Sequence, residues 1–255
     1  MENWSFVKMH GLGNDFVIID ARNGMLDLSA TQIRAISDRR TGVGCDQLIS
    51  IETSKQADAF MRIFNTDGSE ADACGNGARC VAWLIMQELK RKHIALETIS
   101  GNLNIAANGP YVTVDMGPMR VNWHEIPMAE ETDTLHVHLG DESMPDGVAG
   151  NIGNPHITFF VDNAETTDLA HYGARYETHP QFPERVNVGI ASIVDSATLR
   201  LRVWERGVGI TSACGSAACA ATVAATRRGL LNRQAKVELD GGALDIEWRT
   251  DGHVT

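Results

Sequence analysis

The sequence has no clustered excess of lysine and arginine: 22 basic residues stand against 33 acidic ones among 255, a formal net charge of −11. That balance argues against nucleic acid or an anionic membrane as partner, because both are bound through dense positive charge. MENWSFVKMHG lacks the basic start and apolar run of a secretory signal, so the chain is predicted to act in the cytoplasm. No strongly apolar run of about 20 residues occurs, as a membrane span would need. The one uncharged stretch of that length, 207–226, is diluted by hydroxyl residues, glycine and alanine, and reads as a turn followed by a buried helix. Five cysteines, Cys45, Cys74, Cys80, Cys214 and Cys219, form an odd set without a Cys-x2-Cys knuckle. A disulfide framework and a structural zinc site are both disfavoured, and no metal is expected. No pyridoxal phosphate signature stands out, so no cofactor is expected either. No low-complexity linker divides the chain.

What the chain does contain is a repeat. Residues 61–78, MRIFNTDGSEADACGNGA, lie over 201–218, LRVWERGVGITSACGSAA, without a gap at an offset of 214 − 74 = 140. Arg62 falls on Arg202, Ala73 on Ala213, Cys74 on Cys214, Gly75 on Gly215 and Ala78 on Ala218. Gly13 and Asn14 meet Gly153 and Asn154 at the same offset. The reading is a duplicated chain with one cysteine per half, divided as 1–118 and 119–255. With 43% hydrophobic residues each half can bury its own core.

Alternating or β-branched segments predict strands at 15–19, 47–51, 60–64, 111–115, 156–161, 186–194 and 198–204, and near 235–248. Each half then reads as strands, one helix, and strands again. The first helix is expected to start near Cys74 and run through ARCVAWLIMQELKRK, apolar on most of its circumference, with basic residues in its last turn. The second runs from Cys214 through AACAATVAATRR and stops at Gly229. Gly117, Pro118 and the acidic stretch 130–142 mark a boundary or a surface excursion. The fold class is α+β: two similar domains, each a mixed sheet around a central helix.

A cysteine in the first turn of a helix lies where backbone N–H groups and the helix dipole favour negative charge, so its thiol is expected to be lowered toward neutrality. Gly75 and Gly215 allow a ligand close to the backbone, whose N–H groups can hold a carboxylate. Two such devices facing one carbon suit a two-base racemase or epimerase: one thiolate removes an α-proton and the other thiol delivers one to the opposite face. Preorganised donors must then stabilise the carbanion. Blander readings stand beside this one. Cys45, Cys80 and Cys219 read as small buried hydrophobes, His156 as a structural histidine, Glu205 and Arg206 as a surface pair, and Asn14, Asn65 and Asn154 as turn residues.

HGLGNDF at 10–16, GVGCDQ at 42–47, FNTDGSEADACGNGARC at 64–80, GNPH at 153–156, VNVG at 186–189 and WERGVGITSACGSAACA at 204–220 together resemble diaminopimelate epimerase, in order and over nearly the whole chain. The resemblance implies two similar α+β domains with mixed sheets curled round a central helix, and an active site in the cleft between them. It further implies a small-molecule substrate, LL-diaminopimelate interconverted with meso-diaminopimelate without cofactor or metal, and a homodimer. Carried over by position, Cys74 and Cys214 are the acid–base pair, and His156 and Glu205 tune the thiols and pass protons. Asn14, Gln47, Asn65, Asn154, Asn187, Glu205 and Arg206 line the ligand, and backbone groups of Gly75, Asn76, Gly215 and Ser216 hold its reacting end. Arg206 suits a distal carboxylate.

Ser216 stands where threonine is common in the family, a change that keeps the hydroxyl. Family chains usually continue past the position of DGHVT by a short segment returning to the first domain, so one strand fewer is expected there. Related racemases acting on histidine, proline or hydroxyproline form the alternative. The proline type carries Cys-Gly-His-Gly where this chain has Cys74, Gly75, Asn76 and Gly77. A module that binds an amino acid without chemistry is a further alternative. Oxidation joining Cys74 to Cys214 would switch such an enzyme off.

Overall fold

The computed structural model describes residues 4–24, 26–71, 74–109 and 111–255; Ala73, the partner of Ala213 in the repeat, lies outside them. The chain forms two compact units, 1–115 and 116–255.

In the first unit the elements follow as β1 (Phe6–Gly11), β2 (Asn14–Asp20), α1 (Ala30–Ser37), β3 (Gln47–Glu52), β4 (Ala59–Asn65), β5 (Glu70–Ala71), α2 (Gly75–Leu89), β6 (His93–Thr98), β7 (Gly101–Asn108) and β8 (Tyr111–Asp115). The sheet order is β1-β2-β3-β4-β6-β7-β8, with β5 beside β4. The second unit has β9 (Val148–Asn151), β10 (Pro155–Phe160), α3 (Leu169–Glu177), β11 (Asn187–Asp195), β12 (Thr198–Glu205), β13 (Gly209–Thr211), α4 (Gly215–Arg227), β14 (Gln234–Leu239) and β15 (Gly242–Glu247). Its order is β9-β10-β11-β12-β14-β15, with β13 beside β12. Both sheets are mixed, and their first five pairings alternate antiparallel and parallel in the same sequence, after which β8 adds to the first sheet antiparallel to β7.

The likeness extends to single residues. Phe16 is registered on Gln47 and His156 on Asn187; Leu48 on Phe64 and Val188 on Trp204; Ile63 on Ala71 and Val203 on Thr211. Each second pair is the first displaced by 140, the offset at which the two cysteines repeat. The match slips by one residue only at the flanks: Met9 pairs with Phe16 but Gly150 with His156, and Ala59 pairs with Leu96 but Leu199 with Val237.

Alternation along the strands explains the layers. In the second unit, Leu199, Leu201, Val203 and Ala191 turn to α4 and pack on Ala217, Ala218, Ala221 and Val223. Ile157, Phe159, Val188 and Ile190 turn the other way, onto Leu169 and Tyr176 of α3. In the first unit Val17, Ile19 and Leu48 form a cluster with Ile36 of α1. Ile49, of opposite parity to Leu48, meets Gly77 of α2 so closely that a Cβ there would lie 2.7 Å from Ile49 Cδ1.

Several expectations are corrected. Among the described residues each unit has two α-helices, because the short α1 and α3 pack on the sheet faces away from α2 and α4. The signal for α1 was in the sequence: Ser29 and Gln32 form a reciprocal capping box. The helix α2 is not enclosed all round, since Trp83, Gln87, Glu88 and Leu89 are exposed, and it is α4 whose residues 217–225 are all buried. Nor do basic residues close the last turn of α2, which ends at Leu89 with Lys90 left-handed at φ 51°. The acidic stretch is no mere excursion: Val137 and Leu139 enter the α3-side core, and Val137 bridges to Gly147. Among the described residues no helix is long and apolar enough to cross a membrane.

Candidate active site

Asn14, Gln47, Asn65, Cys74, Gly75 and Asn76 all fall at strand ends or the helix start of the first unit. A two-residue turn with Leu12 and Gly13 at φ 55° and 86° closes the β1–β2 hairpin and delivers Asn14 at its exit. Gln47 opens β3 and Asn65 ends β4; they are registered partners, and Gln47 Nε2 donates to Asn65 Oδ1 at 3.0 Å. Gln47 Oε1 is buried with no hydrogen-bond partner among the described residues. Cys74 caps α2 from an extended conformation, φ −148° and ψ 107°, and Gly77 N–H donates to its Sγ at 3.3 Å. The first helical bond is Ala78 N–H to the Cys74 carbonyl, so the amides of 75–77 precede the ladder.

Asn14 is held from both sides. Its Nδ2 donates to Asp46 Oδ2 at 3.2 Å, and an acceptor-only carboxylate fixes which end of the amide points there. Asn14 Oδ1 consequently faces the Cys74 thiol at 3.8 Å and accepts from Asn76 Nδ2 at 3.3 Å. Arg79 donates to Asn76 Oδ1 at 2.6 Å and pins the second amide in the same way. Asp46 is braced by Arg39 and by the backbone of Asp15. Burial alone would raise the Asp15 carboxyl, but hydrogen bonds from Arg39 and Lys8 outweigh it and hold it well below the usual carboxylate range.

In the second unit Asn154, His156, Asn187, Glu205, Arg206, Cys214, Gly215 and Ser216 occupy the corresponding ends. Cys214 caps α4 at φ −134° and ψ 113°, and its Sγ lies 3.4 Å from Ser216 Oγ. A Cβ built on Gly215 would meet no atom within 4 Å, so the backbone there is open to approach. The expectation of a lowered thiol is overturned at Cys214. Burial first, and the Glu205 carboxylate second, push this thiol well above its ordinary value. The Ser216 hydroxyl and the Ala217 amide pull the other way without prevailing.

Glu205 accepts from Thr211 Oγ1 at 2.5 Å. His156 is 3% exposed and shares a 2.8 Å hydrogen bond with Asn154 Oδ1. Burial, with Arg206 adding to it, lowers this imidazole to about 3, so it is neutral at physiological pH. Asn187 Nδ2 donates to the Pro155 carbonyl at 2.8 Å and its Oδ1 accepts from Arg206 N–H at 3.0 Å, while Arg206 Nη1 donates to Glu184 O at 2.9 Å. Below this turn the buried Glu177 accepts from Trp204 Nε1 at 2.7 Å and from Gly207 N–H at 2.9 Å.

Asp46, Arg79, Glu177 and Thr211 were not singled out from the sequence. Each acts on a named site residue through a side-chain hydrogen bond or the adjoining turn, and three of the four belong to the motif segments quoted above. A usable signal is the repeat itself: positions that change from neutral to ionisable or hydroxyl-bearing across the offset include 65 to 205 and 71 to 211. All five cysteines are thiols; burial pushes Cys80 up to about 11, in keeping with an inert core residue.

Three comparisons bear on this arrangement. The family model described as diaminopimelate epimerase matches residues 6–122 and 148–255. The diaminopimelate epimerase of Phenylobacterium zucineum is 51% identical, covering 98% of this chain and 92% of the relative, and that of Rhodospirillum centenum is 53% identical, covering 98% and 87%. Among solved structures, a phenazine biosynthesis protein of the PhzF family from Bacillus anthracis shares the fold at 16% identity and TM-score 0.68, covering 100% of this chain and 95% of that one. A hydroxyproline epimerase from Agrobacterium vitis does so at 15% identity and TM-score 0.67, covering 95% and 83%. On the family model and on these relatives, this chain belongs to the diaminopimelate epimerase family.

Proposed function

We propose that the protein interconverts LL- and meso-diaminopimelate by a two-base mechanism in which Cys74 and Cys214 serve opposite faces of one α-carbon. The observation that carries this reading is the pair of cysteines at equivalent helix caps, each at the head of a turn of backbone amides. In one direction the Cys74 thiolate takes the α-proton. The electron pair is left on the α-carbon and its carboxylate, and the Cys214 S–H delivers a proton to the other face. In the reverse direction the roles exchange. The high-lying Cys214 thiol supports this starting assignment, since it holds its proton until the carbanion needs it. Glu205 beside it can then bear the charge change and relay a proton, and neutral His156 can accept or pass one.

The amides of Gly75, Asn76, Gly215 and Ser216 bind the reacting carboxylate. The unmatched Gln47 Oε1 suits an ammonium donor. Asn14, Asn65, Asn154, Asn187 and Arg206 shape the rest of the ligand site, with Arg206 at the distal carboxylate. The family resemblance supports a homodimer acting in the cytoplasm, which light scattering and cell fractionation test. Proton NMR of LL-diaminopimelate in D2O tests the chemistry, with alanine, proline and histidine alongside. Deuterium at the α-position of diaminopimelate alone, with meso product, is expected; exchange confined to another amino acid would move the substrate.

A further inference from the structure

We infer that the Thr211 hydroxyl aims the Glu205 carboxylate at Cys214, which makes Thr211 a positioning residue of the acid–base machinery; this rests on the two-thiol reading above. The strand β13 is only three residues long and folds straight back on β12, registering Glu205 on Gly209 and Val203 on Thr211. Thr211 is therefore diagonal to Glu205 on one face of the hairpin, a separation that side chains can span. Its Oγ1 donates to Glu205 Oε1 at 2.5 Å in a half-buried setting. A hydroxyl has one hydrogen, and here that hydrogen is committed to the carboxylate.

The repeat supplies the control. At the equivalent places the first unit has Asn65 and Ala71, and Asn65 Nδ2 turns to Ser69 Oγ at 3.1 Å. Acid and hydroxyl occur together only in the unit whose thiol is buried. A carboxylate on a flexible stem next to a cysteine needs such a tether, because two sulfur-facing rotamers of Glu205 would differ in their distance to the proton they manage.

The experiment measures kcat and KM for LL-diaminopimelate with Thr211→Val and Thr211→Ser, each in the unaltered chain and in a Glu205→Gln background, with melting temperatures. Thr211→Val is expected to lower kcat by about tenfold to a hundredfold at nearly unchanged KM, as a small misplacement does. Thr211→Ser restores most of that loss, and in the Glu205→Gln background Thr211→Val changes kcat little. An equal loss in both backgrounds, full activity in Thr211→Val, or no rescue by serine overturns the inference. Cys214→Ser is run beside them: unchanged turnover there would remove the acid–base reading itself, whereas failure confined to the Thr211 variants would remove only this inference.

Discussion

At the offset of 140, Asn65, Ala71, Phe16 and Ser37 of the first unit correspond to Glu205, Thr211, His156 and Glu177 of the second. The backbone around the two sets is registered alike, and both thiols cap a helix. The side chains around the sulfurs nevertheless differ in kind: amides pinned by Asp46 and Arg79 surround Cys74, whereas a carboxylate and its threonine tether attend a buried Cys214. Duplication has conserved the frame that sets a thiol at a helix end, while the side chains around the two sulfurs have diverged, and at Cys214 burial and Glu205 raise the thiol.

The sharpest break of this comparison is to remove one sulfur at a time. Cys74→Ser and Cys214→Ser are each expected to lower epimerisation by about a thousandfold or more, read by conversion of LL- to meso-diaminopimelate, because two faces need two bases. Full turnover in either variant would end the two-base reading.

Making the second unit resemble the first comes next. Glu205→Gln is expected to cost about a hundredfold in kcat, roughly 2.7 kcal/mol. The same change removes a charge that opposes the Cys214 thiolate, so alkylation of Cys214 by iodoacetamide, followed by peptide mass spectrometry, should become faster as turnover falls. Parallel loss of both would mean that Glu205 only supports the fold.

An effect on stability separates the outer helices. Glu177→Leu strands the Trp204 indole N–H and the Gly207 amide and is expected to cost about 3 kcal/mol in urea unfolding. Ser37→Ala, at the equivalent place, removes only the acceptor of a 3.5 Å contact from Cys45 Sγ and should cost under about 1 kcal/mol.

A further difference between the units concerns pH. The unfolded chain protonates His156 near 6.5 and the native protein only near 3. Between those values the unfolded state binds more protons, so stability is complete above about pH 6.5 and falls as the medium is acidified. This histidine contributes a slope of at most about 1.4 kcal/mol per pH unit. His156→Phe, which copies Phe16, should flatten that limb of a stability-against-pH curve; an unchanged slope would assign it to other groups.

Much of this was readable from the chain. Strands with strong alternation, the two cysteine helices and the site motifs stand out because each is a local pattern or an exact repeat. The strands β1, β5, β6, β7, β9 and β13 were missed. β1 lies largely exposed and β9 is only four residues long, so neither carries a clear alternation. The helices α1 and α3, eight and nine residues long, have too few turns for periodicity to show, and only their caps Ser29 and Asp168 announced them. The fate of the Cys214 thiol was not readable, because helix position favours the thiolate while burial and Glu205 oppose it, and only the fold tells which dominates.

The one-residue slips at the flanks of the repeat carry a last consequence. From Phe16 to Gly75, and again from His156 to Gly215, the chain keeps its count through three strand pairings and an outer helix. The differences in length fall before this stretch and after the helix caps, where α4 ends two residues sooner than α2 and a longer loop leads to β14. Each such stretch therefore acts as a ruler laid between the hairpin asparagine and the sulfur. A residue gained or lost within one of its strands would shift the register by one step of backbone and turn side chains to the opposite face, whereas one gained beyond the helix is absorbed by a loop.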